Sequence, residues 1–215
     1  TEPRPPGTDP VTLSKTLLEN FAGFKRLAQD NVGSTRAAVM LLVTRDPDTD
    51  EGSVVLTRRA KTLRRHAGQY ALPGGRAEPG ESPAETALRE CREEIGLNPK
   101  THQVIGLLDD FVTESGFCIT PVVACMDETL TAVPDPGEVE RVFHIPLSEL
   151  ADAKTEVSRS ETDESVRDGF SIMLPTVGHE VYAPTAAILF QFREVALLGR
   201  TTRVNDLGQP RFAWR

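Results

Sequence analysis

The apolar positions of the chain recur first at helical spacing and then as strand-length runs. The early set, spaced three or four residues apart, is Leu13, Leu17, Phe21, Phe24 and Leu27. It predicts an amphipathic helix from Val11 to about Gln29, which Gly23 weakens in the middle. Apolar runs at Ala37 to Val43 and Val54 to Thr57 flank a polar loop and predict two strands joined by a hairpin.

The second half of the chain continues this alternation. Further strands are predicted at Gln103 to Leu108, Ile119 to Met126 and Arg141 to Ile145. The second of them contains Pro121, which favours a place near a sheet edge. Between the first two strands the acidic residues are expected to form a solvated loop; they are Asp109, Asp110 and Glu114.

The C-terminal third predicts mostly short elements. A short helix is expected at Ser148 to Asp152, and the polar stretch from Thr155 to Asp168 predicts a mobile loop able to cap a substrate. A hairpin follows, made of Phe170 to Leu174 and His179 to Tyr182. Apolar residues at helical spacing then predict a second long helix, Thr185 to Leu198.

These elements predict one domain with extensions at both ends. Residues 1–10 are interpreted as a flexible N-terminal tail, 11–200 as the domain and 201–215 as a C-terminal extension. The extension carries Trp214, which is expected to dock either on the domain or on a second subunit of a homodimer.

A helix rich in glutamate lies between the predicted strands. Ser82, followed by Pro83 and then by Glu85, predicts an N-cap with a reciprocal capping box. Gly96 supplies a left-handed position after the last turn, so the helix is expected to end at Ile95.

The two sides of this helix differ in polarity. The apolar side carries Ala84, Leu88, Cys91 and Ile95, which predicts a buried stripe. Glu90, Glu93 and Glu94 are expected to lie opposite, where like charges cost a helix about 0.2 to 0.5 kcal/mol per pair unless a cation sits among them. Mg²⁺ or Mn²⁺ prefers such oxygen ligands. The alternative is a solvated acidic face in which Glu85 and Glu93 flank Arg89 at i,i+4 spacing.

Composition and charge narrow the choice of partners. The chain has 215 residues, 39% of them hydrophobic and 26% charged, which is typical of a soluble globular protein. Its net charge of −8 argues against broad binding to nucleic acid or an anionic membrane, so an anionic substrate needs local cations and metal.

Three cysteines without a CxxC pair predict reduced thiols. Because Thr1 to Asp9 lacks the apolar region of a signal peptide, a cytoplasmic location is expected.

The glutamate helix belongs to a longer pattern. It runs Gly75, five residues, Glu81, seven residues, Arg89-Glu90, Cys91, one residue, Glu93-Glu94, one residue, Gly96-Leu97. This pattern resembles a complete Nudix box, with Cys91 at a position where the family usually carries a larger aliphatic residue. The resemblance implies an α/β protein with the Nudix fold, an α/β/α sandwich around a central mixed sheet. It also implies a divalent metal site and cleavage of a diphosphate linked to another moiety.

The Nudix resemblance assigns roles to several residues. It implies that Glu90, Glu93 and Glu94, with the carbonyl of Gly74, hold Mg²⁺ or Mn²⁺, and that Glu90 and Glu93 take part in catalysis. Arg89 is expected to orient Glu93 and Glu81 by hydrogen bonds. The segment from Pro134 to Pro146 resembles the part of the family that brings one more acid to the metals, for which Glu138 is the first choice and Glu140 the alternative.

The stretch before the box is basic. From Leu56 to Gly75 it contains five Lys and Arg residues and no acid, which suits recognition of phosphates. It is similar to a second signature, that of coenzyme A diphosphatases within the Nudix superfamily. The residues that match in register are Leu56, Thr57, Arg64, Gly68, Pro73, Gly74 and Gly75, and the departures are Val55, Ala60 and Leu72. On this basis Arg58, Arg64, His66 and Gly68 are expected to bind the substrate.

The two resemblances together imply a hydrolase that cleaves CoA or acyl-CoA to phosphopantetheine and 3′,5′-ADP. Alternative substrates are ADP-ribose, NADH and dinucleoside polyphosphates. A further alternative is a Nudix module that binds a nucleotide without cutting it, but every glutamate of the box is present, which favours an enzyme.

Overall fold

A computed structural model of the protein describes residues 10–29, 35–152, 170–204 and 207. The first helix, α1, spans Pro10–Ala22. It is shorter than the predicted helix to Gln29, because the chain turns at Gly23 and the residues after it are not helical. The predicted loop from Thr155 to Asp168 lies outside the described residues.

In the described part of the chain, eight strands form the main sheet. They are β1 (Thr35–Arg45), β2 (Gly52–Arg59), β3 (Tyr70–Ala71), β4 (Gly74–Arg76), β5 (Val104–Leu107), β6 (Phe111–Val112), β7 (Phe117–Thr129) and β8 (Val139–Pro146). The central order is β3-β2-β1-β7-β5, and β4, β6 and β8 pair with β1, β7 and β2. Because β1 and β7 are parallel while the other pairs are antiparallel, the sheet is mixed, as predicted.

The remaining elements surround this sheet. The glutamate-rich helix, α2, spans Pro83–Ile95, and a short 3₁₀ turn covers Thr101–Gln103. Helix α3 spans Leu147–Ala151, one residue earlier than predicted at each end. The predicted hairpin is present as β9 (Ser171–Leu174) and β10 (His179–Tyr182), a separate two-stranded sheet. Helix α4 spans Thr185–Phe192 and continues as a π-helical turn at Arg193–Leu197.

The core has two parts, one on each face of the main sheet. Residues of β1 alternate between them, as side chains of a strand must. Met40 and Leu42 pack with Cys91 and other residues of α2, whereas Leu41 and Val43 pack with α1 and α4. The predicted α/β/α sandwich is therefore confirmed.

Strands β1 and β2 diverge and leave room for the segment that precedes α2. They pair with each other only from Val43 opposite Val54 to Arg45 opposite Gly52. Farther along, β4 takes the place beside β1 and β3 takes the place beside β2. This fork holds the glycine-rich segment from strands on both sides, so its backbone is fixed directly beneath the glutamate helix.

Pro121 is not on an edge strand. Strand β7 lies between β1 and β5, contrary to the prediction from sequence. The N–H and C=O of one strand residue point to the same neighbouring strand. The Pro121 carbonyl accepts a hydrogen bond from the backbone N–H of Leu108, at 3.0 Å, just beyond the last residue of β5. The N–H that the proline lacks would therefore also point beyond the end of β5. Its missing donor therefore costs no bond within the paired part of β5.

Asp109 and Asp110 are buried, and the prediction of a solvated loop for them was wrong. Each is 1% exposed. Asp109 accepts hydrogen bonds from Gln191 at 2.8 Å and from Arg203 at 2.7 Å. Backbone N–H groups of the segment after α1 also donate to this pair. These two consecutive carboxylates thus connect three segments that are distant in sequence. The segments are the residues after α1, helix α4 and the beginning of the C-terminal extension.

The described residues contain no helix with the length and apolar character needed to cross a lipid bilayer.

Asp110 is expected to make stability depend on acid pH. Burial raises its pKa, but hydrogen bonds from Gln29, Thr120 and Arg26 outweigh this and lower it below the ordinary value of 3.8. A lowered folded-state pKa stabilises the fold above the ordinary value, and this contribution is lost as pH falls through the folded-state value. Asp110→Asn should lower the free energy of unfolding by about 3 kcal/mol at pH 7.

Urea unfolding of wild type and Asp110→Asn from pH 7 down to pH 3 measures this effect. The difference between the two proteins should shrink at the acid end. The exposed Asp48→Asn serves as a matched control and should change the free energy of unfolding by less than about 0.5 kcal/mol. A difference that stays constant with pH would contradict the assignment.

Candidate active site

The start and end of α2 are fixed as the sequence predicts. The Ser82 hydroxyl accepts a hydrogen bond from the N–H of Glu85 at 3.3 Å, and the Glu85 carboxylate accepts from the N–H of Ser82 at 2.8 Å. Gly96 ends the helix with a φ of 69°. These caps set the rotation of the helix, and with it the direction of each glutamate.

Arg89 lies at the centre of the acidic cluster. Its Nε donates to Glu81 at 2.8 Å, and its Nη1 donates to Glu90 at 2.7 Å and to Glu93 at 3.0 Å. Its Nη2 donates to the carbonyl of Arg76 in β4 at 3.0 Å. Hydrogen bonds from Arg89 and from the Glu78 backbone lower the pKa of Glu81 to about 2. One guanidinium therefore ties three carboxylates to the segment before the helix.

Glu94 is buried, although the sequence placed it opposite the buried stripe. It is 4% exposed, because it follows Cys91 by three residues and so lies at the edge of that stripe. The N–H of Gly74 donates to its Oε2 at 3.2 Å, and the Nη1 of Arg59 is 3.8 Å from its Oε1. Burial raises the pKa of Glu94 to about 7.

Glu90 packs against the glycine pair before the helix. A Cβ on Gly75 would collide with the Glu90 carboxylate, and one on Gly74 would collide with the backbone of β1. Gly74 thus requires glycine for steric reasons, and a side chain at Gly75 would displace the Glu90 carboxylate. Burial raises the pKa of Glu90; Arg89 offsets part of this rise, and the negative charges of Glu93 and Glu138 add to it.

The two acids proposed from outside the box have different surroundings. The charge of Glu138 raises the pKa of both Glu90 and Glu94, so its side chain lies within electrostatic reach of them. Its carbonyl accepts a hydrogen bond from the N–H of Ala60 at 2.8 Å. Glu140 instead forms ion pairs with Arg58 at 3.6 Å and Lys61 at 3.7 Å.

The donor set suits a hard divalent cation, although the side chains are not arranged around one. In the described part of the chain, no three His, Cys, Asp or Glu side chains stand together in a geometry that holds an ion. Arg89 donates hydrogen bonds to Glu90 and Glu93. Glu94 accepts a hydrogen bond from the N–H of Gly74 and forms an ion pair with Arg59. All the available ligands are nevertheless oxygens, and the carboxylates raise one another's pKa values. The chemical type of these ligand atoms therefore fits Mg²⁺ or Mn²⁺.

A cavity of about 300 Å³, here called the site cavity, lies beside the glycine pair. Its apolar lining includes Val39, Leu72, Phe117, Ile119 and Ile188. Its polar lining includes Arg59, His66, Arg76, Thr113 and Ser115. The guanidinium of Arg76 lies over the ring of Phe117, 5.1 Å from its centroid. The cavity thus offers both cations and an apolar surface beside the glycine pair.

The predicted substrate-binding residues do not all line the site cavity. His66 lines it, has a φ of 56° and lies within hydrogen-bond distance of Gln69 through Nδ1, at 3.1 Å. Arg58 and Gly68 line a different space, here called the second cavity, on the other side of Tyr70. Arg64 is exposed and lines neither cavity.

Arg59 was missed by the sequence analysis, which selected Arg58. In the structure it is Arg59 that approaches Glu94 and lines the site cavity. Its Nε is buried and has no hydrogen-bond partner among the described residues. Strand alternation in the sequence could have indicated this, since neighbouring residues of a strand point to opposite faces and only one of the two arginines can face α2.

Comparison with known proteins identifies relatives over the central part of the chain. The chain is 40% identical over 126 residues to "Uncharacterized Nudix hydrolase NudL" of Photorhabdus laumondii, a match that covers 58% of this chain and 64% of that protein. It is 37% identical over 141 residues to the protein of the same name from Cronobacter sakazakii, covering 65% and 72%. "Nudix hydrolase 3" of Caenorhabditis elegans is 40% identical over 130 residues, covering 58% and 53%.

Among solved structures, a MutT/nudix family protein from Enterococcus faecalis is similar to this chain. The TM-score is 0.47 and the identity 19%, with 55% of this chain and 46% of that chain covered. The NUDIX domain family model matches residues 34–164, which include the sheet, the glycine pair and α2. More than half of the sequence is matched, and this chain therefore belongs to the Nudix family.

Proposed function

We propose that this chain is a metal-dependent hydrolase that cleaves the diphosphate of CoA or acyl-CoA into phosphopantetheine and 3′,5′-ADP. The observation that carries the proposal is the match of the segment from Leu56 to Gly75 to the CoA diphosphatase signature, directly before a complete Nudix box. Nudix hydrolases generally use divalent metals such as Mg²⁺ or Mn²⁺. The Arg59 guanidinium of the site cavity suits a diphosphate, and the apolar lining suits the methyl and methylene groups of a pantetheine arm.

Two of the departures from the signature weaken the proposal little. Val55 is fully buried and Leu72 is 4% exposed, so both are core residues at which one apolar side chain replaces another. Ala60 is also buried, at 5% exposure, and its N–H bonds the carbonyl of Glu138. The missing hydroxyl at this position is the departure that bears most on substrate choice.

In the mechanism we propose, Glu90, Glu93 and Glu94, with the Gly74 carbonyl, would hold the metal. When bound, the cation would neutralise the diphosphate and lower the pKa of water. Arg89 keeps Glu90 and Glu93 directed to one place, and Arg59 donates to the phosphate oxygens. Glu138 takes the proton from the attacking water, which adds across the P–O–P bond and releases two phosphate esters.

Other functions are kept as alternatives. Substrates such as ADP-ribose, NADH or a dinucleoside polyphosphate carry the same diphosphate, and the site cavity does not exclude them. A nucleotide-binding module without hydrolysis is disfavoured, because all the box glutamates are retained and Arg89 bonds three of them. The expected cytoplasmic location and the homodimer remain predictions.

The metal assignment predicts loss of turnover on neutralising single glutamates. Glu93→Gln should lower kcat on the order of a hundredfold or more at saturating Mg²⁺, because a ligand charge is lost. The side chain of Glu93 is 51% exposed, so the free energy of unfolding should change by less than about 0.5 kcal/mol. Glu94→Gln should show the same loss of turnover, with stability measured separately because Glu94 is buried.

Kinetic assays and urea unfolding of these variants provide the test. Glu78→Gln makes the same chemical change at an exposed position before the helix and should keep wild-type turnover. Wild-type activity in Glu93→Gln or Glu94→Gln at saturating Mg²⁺ would contradict the metal assignment.

The general base is expected to be Glu138. Glu138→Gln should lower kcat on the order of a hundredfold with little change in KM, since the proton acceptor acts in the reaction step and not in substrate binding. Glu140→Gln is the matched control and should keep its kcat. The reverse result would transfer the role to Glu140, and unchanged rates in both variants would place the base inside the box.

Substrate choice tests the proposed function itself. A charge-assisted contact from Arg64 to the 3′-phosphate should give on the order of ten- to a hundredfold higher kcat/KM for CoA than for 3′-dephospho-CoA. Arg64→Ala should remove most of this preference, whereas Arg65→Ala, its exposed neighbour, should not. Equal turnover of both compounds by wild type would contradict the role of the 3′-phosphate. Preference for ADP-ribose over CoA would overturn the proposed substrate and make Ala60 the first departure to revert.

A further inference from the structure

The second cavity has a volume of about 340 Å³ and lies between the main sheet and the β9–β10 hairpin. Arg58 of β2 and Tyr70 of β3 form one wall, and His179, Glu180 and Tyr182 of β10 form the other. The hairpin lies beyond residues 34–164, the part that the family model matches. This cavity is thus built partly from a segment outside the matched Nudix region.

The second cavity adjoins the site cavity. The lining residues common to both are Gln69, Tyr70, Pro184 and Thr185. Thr185 donates from its hydroxyl to the carbonyl of Tyr70 at 3.3 Å, which links the start of α4 to β3. The two spaces therefore lie next to each other, on either side of these shared residues.

The walls of the second cavity present aromatic rings and a cation. The rings of Tyr70 and His179 have centroids 6.2 Å apart and are inclined by 30°. The guanidinium of Arg58 is 6.0 Å from the Tyr70 ring centroid. Flat heteroaromatic rings stack on aromatic and guanidinium side chains whichever substituents the rings carry. The shape and chemistry of this space therefore suit a nucleobase.

Two polar groups of the lining have unused hydrogen-bonding capacity. Arg58 lines the cavity, and its ion pair with Glu140 is 3.6 Å long, beyond hydrogen-bond distance, so its guanidinium can donate to a ligand. Glu180 accepts from the Tyr182 hydroxyl through Oε2, at 2.6 Å, so Oε1 can accept a second donor. An amino group on a purine supplies that donor, and ring nitrogens or ribose oxygens supply acceptors for Arg58.

We propose that the second cavity binds the adenosine half of the substrate. The inference rests on the proposed function for the identity of the ligand, since CoA, ADP-ribose and NADH all contain adenosine. The adenine ring stacks on His179 beside Tyr70, Glu180 accepts from its amino group and Arg58 donates to the ring or ribose. The diphosphate then lies toward the glycine pair, and the apolar lining of the site cavity is left for the pantetheine arm.

Binding of AMP to the whole chain, measured by calorimetry in EDTA, tests the proposal without any turnover. His179→Ala should weaken binding by about five- to a hundredfold through loss of stacking. Wild type should prefer AMP by about tenfold over purine riboside 5′-monophosphate, which lacks the amino group. Glu180→Ala should abolish this preference. Met173→Ala, at the exposed residue paired with Glu180 in the hairpin, should alter neither value.

Steady-state kinetics separate this inference from the proposed function. His179→Ala should raise KM for CoA by a similar factor while kcat stays unchanged. Turnover of CoA with unchanged KM in His179→Ala, or no binding of AMP by wild type, would overturn the inference and leave the hydrolase intact. A chain that binds AMP with the expected variant effects but hydrolyses no diphosphate compound would overturn the hydrolase and keep the adenosine site.

Discussion

The candidate site depends on the hydrogen bonds of a single guanidinium. Arg89 bonds Glu81, Glu90 and Glu93 and also the backbone of β4, so its five donors connect the helix to the segment that precedes it. Without this cation, the carboxylates of one helical turn would repel each other and spread into solvent. The planar fork of an arginine meets several carboxylates at fixed angles, which the single ammonium of a lysine does not.

The parts of the fold that follow from short-range rules were predictable from the sequence. The limits of α2 depend on Ser82, Glu85 and Gly96, which act within one turn of the helix end that each of them caps. The two faces of β1 depend on strand alternation, which the apolar run already contains. The Nudix pattern adds the chemistry, because its spacing fixes which carboxylates share a face of the helix.

The features that were missed depend on partners far away in the chain. Asp109 is buried because Arg203 and Gln191, more than 80 residues later, supply donors for it. Glu94 is buried with Gly74 and Arg59 beside it, partners that the apolar stripe of α2 does not reveal. The sequence analysis expected Asp109 in a solvated loop and Glu94 on the face opposite the buried stripe. Only the assembled sheet determines which acids are surrounded by donors.

The parallel pairing of β1 and β7 bears on how the protein folds. Val39 lies beside Pro121, so the pairing closes a long loop that contains the whole of α2. Contacts of such high sequence separation form slowly, since the entropy of closing the loop is lost before the strands gain from pairing. During synthesis α2 emerges well before β7, and until β7 arrives the apolar stripe around Cys91 has only part of its final surface to pack on. The helix that carries the candidate site is therefore made before the strand that completes the sheet surface beneath it.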